Sequence, residues 1–279
     1  MRVIGLMEVY NEEDLARRVI ENRIEHIDRI LIAEGSLAIN RNLPERSTDN
    51  TMAVLKEMEA KYPDQIFIAP PIPIERMRGH SREAQHGINK NYLLEFSDIE
   101  PGDVIHLMDT DEFYGGEGLW DILRIFRMYD EVQHVQIGEY QYAYNLRWWF
   151  PASHLGRFIR FQKGGRYTAS NHFLVDGKDV IKDRRVSLSR KRSQMTHLCW
   201  VKHPRLIRDK VLTFDRPSLT KWYNERFLRW PSQGNTIDGF AEGQTEPLRN
   251  QPVALPNELV DFTDDWLPEI RDNWREYLI

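Results

Sequence analysis

Asp103-Val104-Ile105-His106-Leu107-Met108-Asp109-Thr110-Asp111-Glu112 is the stretch whose reading decides the fold. It begins as an apolar run of strand length and ends with three carboxylates in four residues. Leaving those carboxylates unpaired beside a buried strand is strongly unfavourable, so a counter-cation is expected. A divalent metal meets that need, and Asp oxygens suit Mg²⁺ or Mn²⁺ better than softer ions. The turn Tyr114-Gly115-Gly116 follows. Strand, Asp-x-Asp and turn together place hard ligands at the carboxyl end of a strand, where open α/β sheets bind their ligands.

Upstream, strands and helices alternate. Arg2 to Met7 reads as a first strand, and Glu12 to Ile24 as a helix with Asn11 as N-cap and Leu15, Val19 and Ile20 at helical spacing. Arg29 to Ala33 reads as a second strand. Ser47-Thr48-Asp49 caps a helix reaching about Lys61, with Val54, Leu55 and Met58 as its apolar stripe. Gln65 to Ala69 is a third strand, ended by Pro70, Pro71 and Pro73. A helix from about Ser81 to Phe96 leads into the strand before Asp109. This alternation predicts parallel pairing through right-handed crossovers, hence an α/β fold with a mostly parallel central sheet flanked by helices. A helix follows from Gly118 to Met128, then strand-rich, aromatic sequence from Val132 through Val175. Pro231 to Pro256 reads as loop or lid, and helical character returns from Asn257.

Composition narrows the classes. With 279 residues, 41% hydrophobic content and 29% charged, the chain holds a proper core and is not a disordered chain. A net charge of −5 gives no global attraction to nucleic acid or anionic lipid. One cysteine, Cys199, excludes an intramolecular disulfide framework. The chain opens directly on a strand-like run, and no apolar run approaches bilayer length, so a soluble, cytoplasmic protein without a membrane span is expected.

Other residues carry two readings. Tyr10 and Asn11 end the first strand, where a base or ribose can sit, while Glu12 and Glu13 suit a helix start. Glu34, ending the second strand, is either a turn carboxylate or an acceptor for a base imide or ribose hydroxyl. Residues 182 to 210 hold ten Lys or Arg against two Asp. That run is either a solvated face or a segment, including Arg190, that orders over an anionic ligand. Of the adjacent Trp148 and Trp149, one can pack inward while the other faces a sugar ring.

Taken in order, these motifs resemble the family-2-type glycosyltransferases of the GT-A fold, over roughly residues 2 to 200. The resemblance rests on Tyr10-Asn11-Glu12 after the first strand, Glu34 after the second, and Ser47-Thr48-Asp49-Asn50-Thr51. It extends to Arg82, Lys90 and Asn91 on the following helix, to Asp109-Thr110-Asp111-Glu112, and to the stretch from Arg157 through Tyr167 to Asn171-His172. It implies a nucleotide-sugar-binding half over 1–130, an acceptor-side half of the same domain over 131–215, and a helical C-terminal extension over 216–279. It further implies a donor of UDP-sugar or GDP-sugar type, Mn²⁺ or Mg²⁺ as cofactor, and a glycan, lipid-linked or other hydroxyl-bearing acceptor. Asp111 would ligate the metal. Asp109 would bind the donor ribose or the metal through water, and His197 would act as a late metal ligand. Tyr10, Asn11, Glu34, Arg82, Lys90 and Arg190 would line the donor site.

Two departures bear on mechanism. Glu34-Gly35-Ser36 and the insertion Leu37 to Arg46 stand where members carry an Asp-rich turn. His172-Phe173 stands where many carry His-Glu, and Phe173 cannot accept a proton. The general base that an inverting reaction needs is therefore sought in Asp183 or Glu139, with His172 and Asp176 behind them. Other classes compete. A nucleotidyltransferase lacks its Gly-rich phosphate loop here. A carbohydrate-binding module would use the Trp residues but has no need of Asp109 and Asp111. A transferase acting on modified nucleic-acid bases would use the basic run.

Overall fold

The computed structural model describes residues 1–36, 44–115, 117–143, 145–151, 155–170, 172–180 and 185–200, with 207–208, 210–211, 220–221, 224 and 253–254. The expected C-terminal extension, 216–279, lies almost wholly outside the described residues, as do Asn171 and Asp183. The chain divides into two compact units, one of Met1–Gly138 with His154–Met195 and one of Glu139–Ser153 with Thr196–Ile279.

The order of elements follows the sequence pattern closely as far as α5. It runs β1 (Val3–Val9), α1 (Ala16–Glu21), a single 3-10 turn (Ile24–His26), β2 (Arg29–Glu34), α2 (Thr51–Lys61), β3 (Ile66–Ile68), α3 (Ile74–Met77), α4 (Arg82–Leu94), β4 (Val104–Met108), β5 (Glu112–Tyr114) and α5 (Gly118–Met128). Then come β6 (His134–Ile137), β7 (Glu139–Ala143), β8 (Asn145–Pro151), β9 (Leu155–Arg160), β10 (Arg166–Ala169), β11 (His172–Val175), β12 (Lys178–Asp179), β13 (Arg185–Leu188), α6 (Arg190–Ser193), β14 (Met195–Trp200) and β15 (Val253–Ala254).

The first unit is built on a seven-stranded sheet in the order β13-β6-β9-β4-β1-β2-β3. β4, β1, β2 and β3 run parallel, as does β13 beside β6, while β9 is antiparallel to both of its neighbours. β1 and β4 are buried along almost their whole length, as strands covered on both faces must be. One core cluster joins Ile4, Leu6, Leu31, Ile105 and Leu107 of the sheet to Tyr92 and Leu93 of α4 and to Tyr167 and Phe173 of the three-stranded β10-β11-β12 meander. Asn91 fixes that meander to α4, donating to the Tyr167 carbonyl and accepting from its amide, each at 2.8 Å. In the second unit β15, β8, β7 and β14 lie side by side in that order.

From β1 the chain moves outward to β2 and β3, then returns to place β4 on the other side of β1. β1 and β4 therefore flank the point where the strand order reverses. Their carboxyl ends are level, with Met7 opposite Met108. The crevice beyond such a reversal is where open α/β sheets take their ligands.

One helix start differs from expectation. Asn11 does not cap α1, whose N-cap position is Leu15 without a side-chain bond. Asn11 instead has φ 51° and accepts from the Thr48 amide at 2.8 Å. A residue in the left-handed region turns the chain out of β1, and Asn tolerates it better than most.

Candidate functional site

The carboxyl ends of β1 and β4 gather a set of charged side chains. The Asp109-Thr110-Asp111-Glu112 turn leaves β4 and enters β5. Glu112 is fully buried, Asp111 is buried, and the Asp109 side chain remains 44% exposed. Arg157, reaching across from β9, donates to Asp109 Oδ2 at 2.5 Å and to Glu112 Oε1. The counter-cation expected for the acidic run is thus in part a guanidinium of the chain itself. Arginine suits that place because it stays charged when buried and its fork can serve two carboxylates.

Beneath the turn lies Arg23, at the end of α1. It is fully buried and donates to the Glu112 carbonyl at 2.7 Å and the Asp109 carbonyl at 3.5 Å. Its guanidinium also lies 5.1 Å from the Tyr114 ring centroid. Burial lowers its pKa, against the pull of Tyr114, Glu112 and Asp109. His106 of β4 is buried in the same region and stacks on Phe158 with ring centroids 4.1 Å apart. Burial and the nearby arginines hold it well below the usual histidine range, so it is a neutral packing element.

Beside the turn, Glu8 of β1 meets α4. Its carboxylate accepts from Asn89 Nδ2 at 2.9 Å and pairs with His86 Nδ1 at 2.8 Å, and Lys90 Nζ stands 4.0 Å away. Lys90 also donates to the Ser170 carbonyl at 2.6 Å. Burial pushes the Glu8 carboxyl up, but His86 and Lys90 outweigh it and hold the group below the usual carboxylate range. Burial lowers the Lys90 ammonium, with Glu8 and Asp109 acting against it. Asp109 thus acts on both Glu8 and Lys90.

The remaining sequence-predicted residues fall as follows. Asn11 and Glu34, expected beside a base or ribose, are engaged by the chain. The Glu34 side chain is 1% exposed; it accepts from the Ser47 amide at 2.7 Å and from Arg46 at 2.5 Å. The Ser47-Thr48-Asp49-Asn50-Thr51 segment laces itself to the loop after β1. Ser47 Oγ accepts from Asn11 N at 2.9 Å, Thr51 Oγ1 from Glu12 N at 2.7 Å, and Glu13 Oε2 from Asn50 N at 2.8 Å. Tyr10 is half-buried at the same strand end. Arg82, in the first turn of α4, forms an ion pair with Glu83 at 3.7 Å. His172 sits on β11 with its side chain 59% exposed, 3.3 Å from Asp179, and so belongs to the meander. In the second unit, Glu139 and His197 are both buried and share a 2.7 Å hydrogen bond through His197 Nδ1. Arg190 lies on α6, and Asp183 is outside the described residues.

Sequence reasoning did not single out Asn22, Arg23, Glu8, His86 or Asn89, and it took Arg157 only as the start of a resembling stretch. Two of these had a signal. Arg23 follows Val19 and Ile20 at helical spacing, which puts it on the buried stripe of α1. Glu8 interrupts an otherwise apolar strand at its carboxyl end.

No family model matches the chain, and no curated protein matches it. Among solved structures it is similar to glucosyl-3-phosphoglycerate synthase from Mycobacterium tuberculosis in complex with Mn²⁺, UDP and glucosyl-3-phosphoglycerate, at 13% identity and a TM-score of 0.34, covering 50% of this chain and 44% of that one. The same enzyme with Mn²⁺, UDP-glucose and glycerol 3-phosphate gives the same figures. With Mg²⁺ and UDP it matches at 13% identity and a TM-score of 0.32, over 50% and 43% of the two chains. The match spans less than half the length of those structures, and a likeness of this size carries no argument about activity.

Proposed function

We propose that the chain is a metal-dependent glycosyltransferase of the GT-A type, moving a sugar from a UDP- or GDP-sugar to an acceptor hydroxyl. The observation that carries this reading is the acidic turn at the β1/β4 reversal point, with cationic side chains around it. The sequence resemblance supplies the reaction class.

The donor set fits a hard divalent cation. Glu8, Asp109, Asp111 and Glu112 set four carboxylates against Arg23, Lys90 and Arg157, and all of these but Asp109 are largely buried. Carboxylate oxygens gathered in this way are the ligands a hard divalent cation takes. Asp111 and Asp109 would hold Mn²⁺ or Mg²⁺. When bound, the metal supplies Lewis-acid stabilisation to a diphosphate leaving group.

The chain's own residues supply the rest. Lys90, with Arg82 and Arg190, offers positive charge to the donor phosphates. Tyr10 offers a ring to the base. Asn11 and Glu34 shape the loop that carries Tyr10. Within the second unit, the Glu139 carboxylate bonded to one imidazole nitrogen of His197 is the kind of contact that fixes a ligand histidine's tautomer. Asp183 and Glu139 remain the candidates for the base, Glu139 in hydrogen bond with His197.

Titration calorimetry with UDP and with GDP, with and without Mn²⁺, tests the reading. Binding of one of them only in the presence of metal is expected, and equal affinity in EDTA would sink it. Asp111→Asn keeps the shape of the side chain but removes its charge. It is expected to lower metal-dependent binding and turnover at least tenfold, about 1.4 kcal/mol, with melting unchanged when no metal is present.

A further inference from the structure

The acidic turn is gripped from behind by two consecutive residues at the end of α1. Asn22 donates through Nδ2 to the Tyr114 carbonyl at 3.0 Å and accepts through Oδ1 from the Tyr114 amide at 3.0 Å. One side-chain amide thus does for Tyr114 what a neighbouring strand residue would do. Arg23 reaches the other end of the turn, donating to the carbonyls of Asp109 and Glu112. These contacts go to main-chain atoms at 109, 112 and 114 and none goes to a carboxylate. The backbone on both sides of Asp111 is thus held through its own main-chain atoms.

We infer that Asn22 and Arg23 are positioning residues that set the aim of the Asp109 and Asp111 carboxylates toward a divalent cation. The inference rests on the proposed metal-dependent function and deepens it. The physical reason lies in the turn itself. Three carboxylates in four residues repel one another, which favours opening of the turn unless its backbone is tied down. Within the turn the Glu112 amide donates to the Asp109 carbonyl over a long 3.4 Å. The clamp adds shorter bonds to the same stretch of backbone. Arg23 also brings a positive charge to the backbone side of the turn, at the Asp109 and Glu112 carbonyls. Groups that orient a metal's ligands without touching the metal typically change its affinity by about 10- to 100-fold when removed.

The test compares Asn22→Ala and Arg23→Lys with the parent protein and with Arg17→Ala. The last, on the same helix as Asn22, removes the Arg17–Glu57 pair and a contact to Met58 Sδ and touches nothing of the turn. Mn²⁺ affinity is read directly from the electron paramagnetic resonance of unbound Mn²⁺, in the presence of saturating UDP, and melting is recorded without metal. Asn22→Ala is expected to weaken Mn²⁺ binding about tenfold or more, while Arg17→Ala leaves it within twofold. Arg23→Lys keeps the charge but loses the two-pronged reach, and is expected to fall with Asn22→Ala. Should Arg23→Lys fail to fold, the half-buried Asn22 still decides the matter. A parent protein that binds Mn²⁺ and an Asn22→Ala variant that binds it equally well overturn the clamp alone. A parent protein that binds no Mn²⁺ overturns the clamp and the proposed function together.

Discussion

Replacing Arg157 with methionine removes the guanidinium that joins Asp109 to Glu112. The two carboxylates are affected differently. Asp109 is 44% exposed, so water takes over most of the lost interaction and its share is within about 1 kcal/mol. Glu112 is 0% exposed and keeps its charge in a poorly hydrated place. Removing one partner of a buried ion pair costs about 3–5 kcal/mol. The lower end applies here, because Arg23 stays nearby and acts on Glu112 through space. The expected loss is therefore about 3 kcal/mol in urea unfolding at pH 8. Its pH dependence identifies the cause. In the variant, burial raises the folded-state pKa of the Glu112 carboxyl above its unfolded value. The penalty is then full above that raised pKa and fades as pH falls through it, because the neutral acid is easier to bury. The stability gap to the parent should narrow markedly between pH 8 and pH 5. The double variant Arg157→Met/Glu112→Gln should recover most of the loss at pH 8, since removing both charges costs less than stranding one. A loss below about 1 kcal/mol, a gap that does not change with pH, or no recovery in the double variant would each refute the buried-pair reasoning.

Glu8→Gln probes the neighbouring cluster. Glu8 is held below the ordinary carboxylate range, so its stabilising share is present above the unfolded carboxylate pKa and lost as pH falls through the lower folded one; the gap between parent and variant should shrink in that acid window, and a constant gap from neutral to acid pH speaks against it. Gly87→Ala tests the seat of the meander on α4. An added Cβ would lie 2.8 Å from the Thr168 carbonyl carbon and 2.9 Å from the Ala169 amide nitrogen, both backbone atoms, so a loss of about 1–3 kcal/mol is expected despite alanine's better helix propensity, and a more stable variant would contradict the packing.

The fold's first half was legible because its signals are local and repeated. Apolar runs of strand length, helical stripes and the proline stop after β3 each state their element without help from the rest of the chain. The acidic turn was legible for the same reason, being contiguous in sequence. Its partners were not. Arg157 lies 48 residues beyond Asp109 and 45 beyond Glu112, and meets them only because β9 inserts antiparallel beside β4. A basic residue in a strand gives no sign of which carboxylate it will face. Asn22 and Arg23 reach the turn across more than eighty residues, through the packing of α1. The Ser47-Thr48-Asp49 segment shows the opposite case. Its polar residues were read as a helix cap, but most of their bonds go to the loop after β1, a choice that depends on where β1 ends. Local chemistry announces that a polar group needs a partner, and only topology says which one it finds.

The division of labour within the acidic turn follows from burial. Glu112 has no access to water, so an exchangeable ion would be a poor partner for it; each loss of the ion would strand a buried charge. It pairs with Arg157, which neither dissociates from the chain nor loses its proton. Asp109 meets that arginine at Oδ2, and nearly half of its side chain faces solvent. It can lose an outside partner without large cost, because water replaces it. Under the proposed function, the carboxylate with solvent access is the one suited to an exchangeable cation, and the sealed one serves to hold Arg157 beside it. A metal that binds reversibly needs that asymmetry. With both carboxylates sealed the ion would have no path in, and with both exposed the turn would lack a fixed charge to set its shape. Arg157→Met should therefore disturb stability first and metal affinity second, whereas Asp109→Asn should do the reverse.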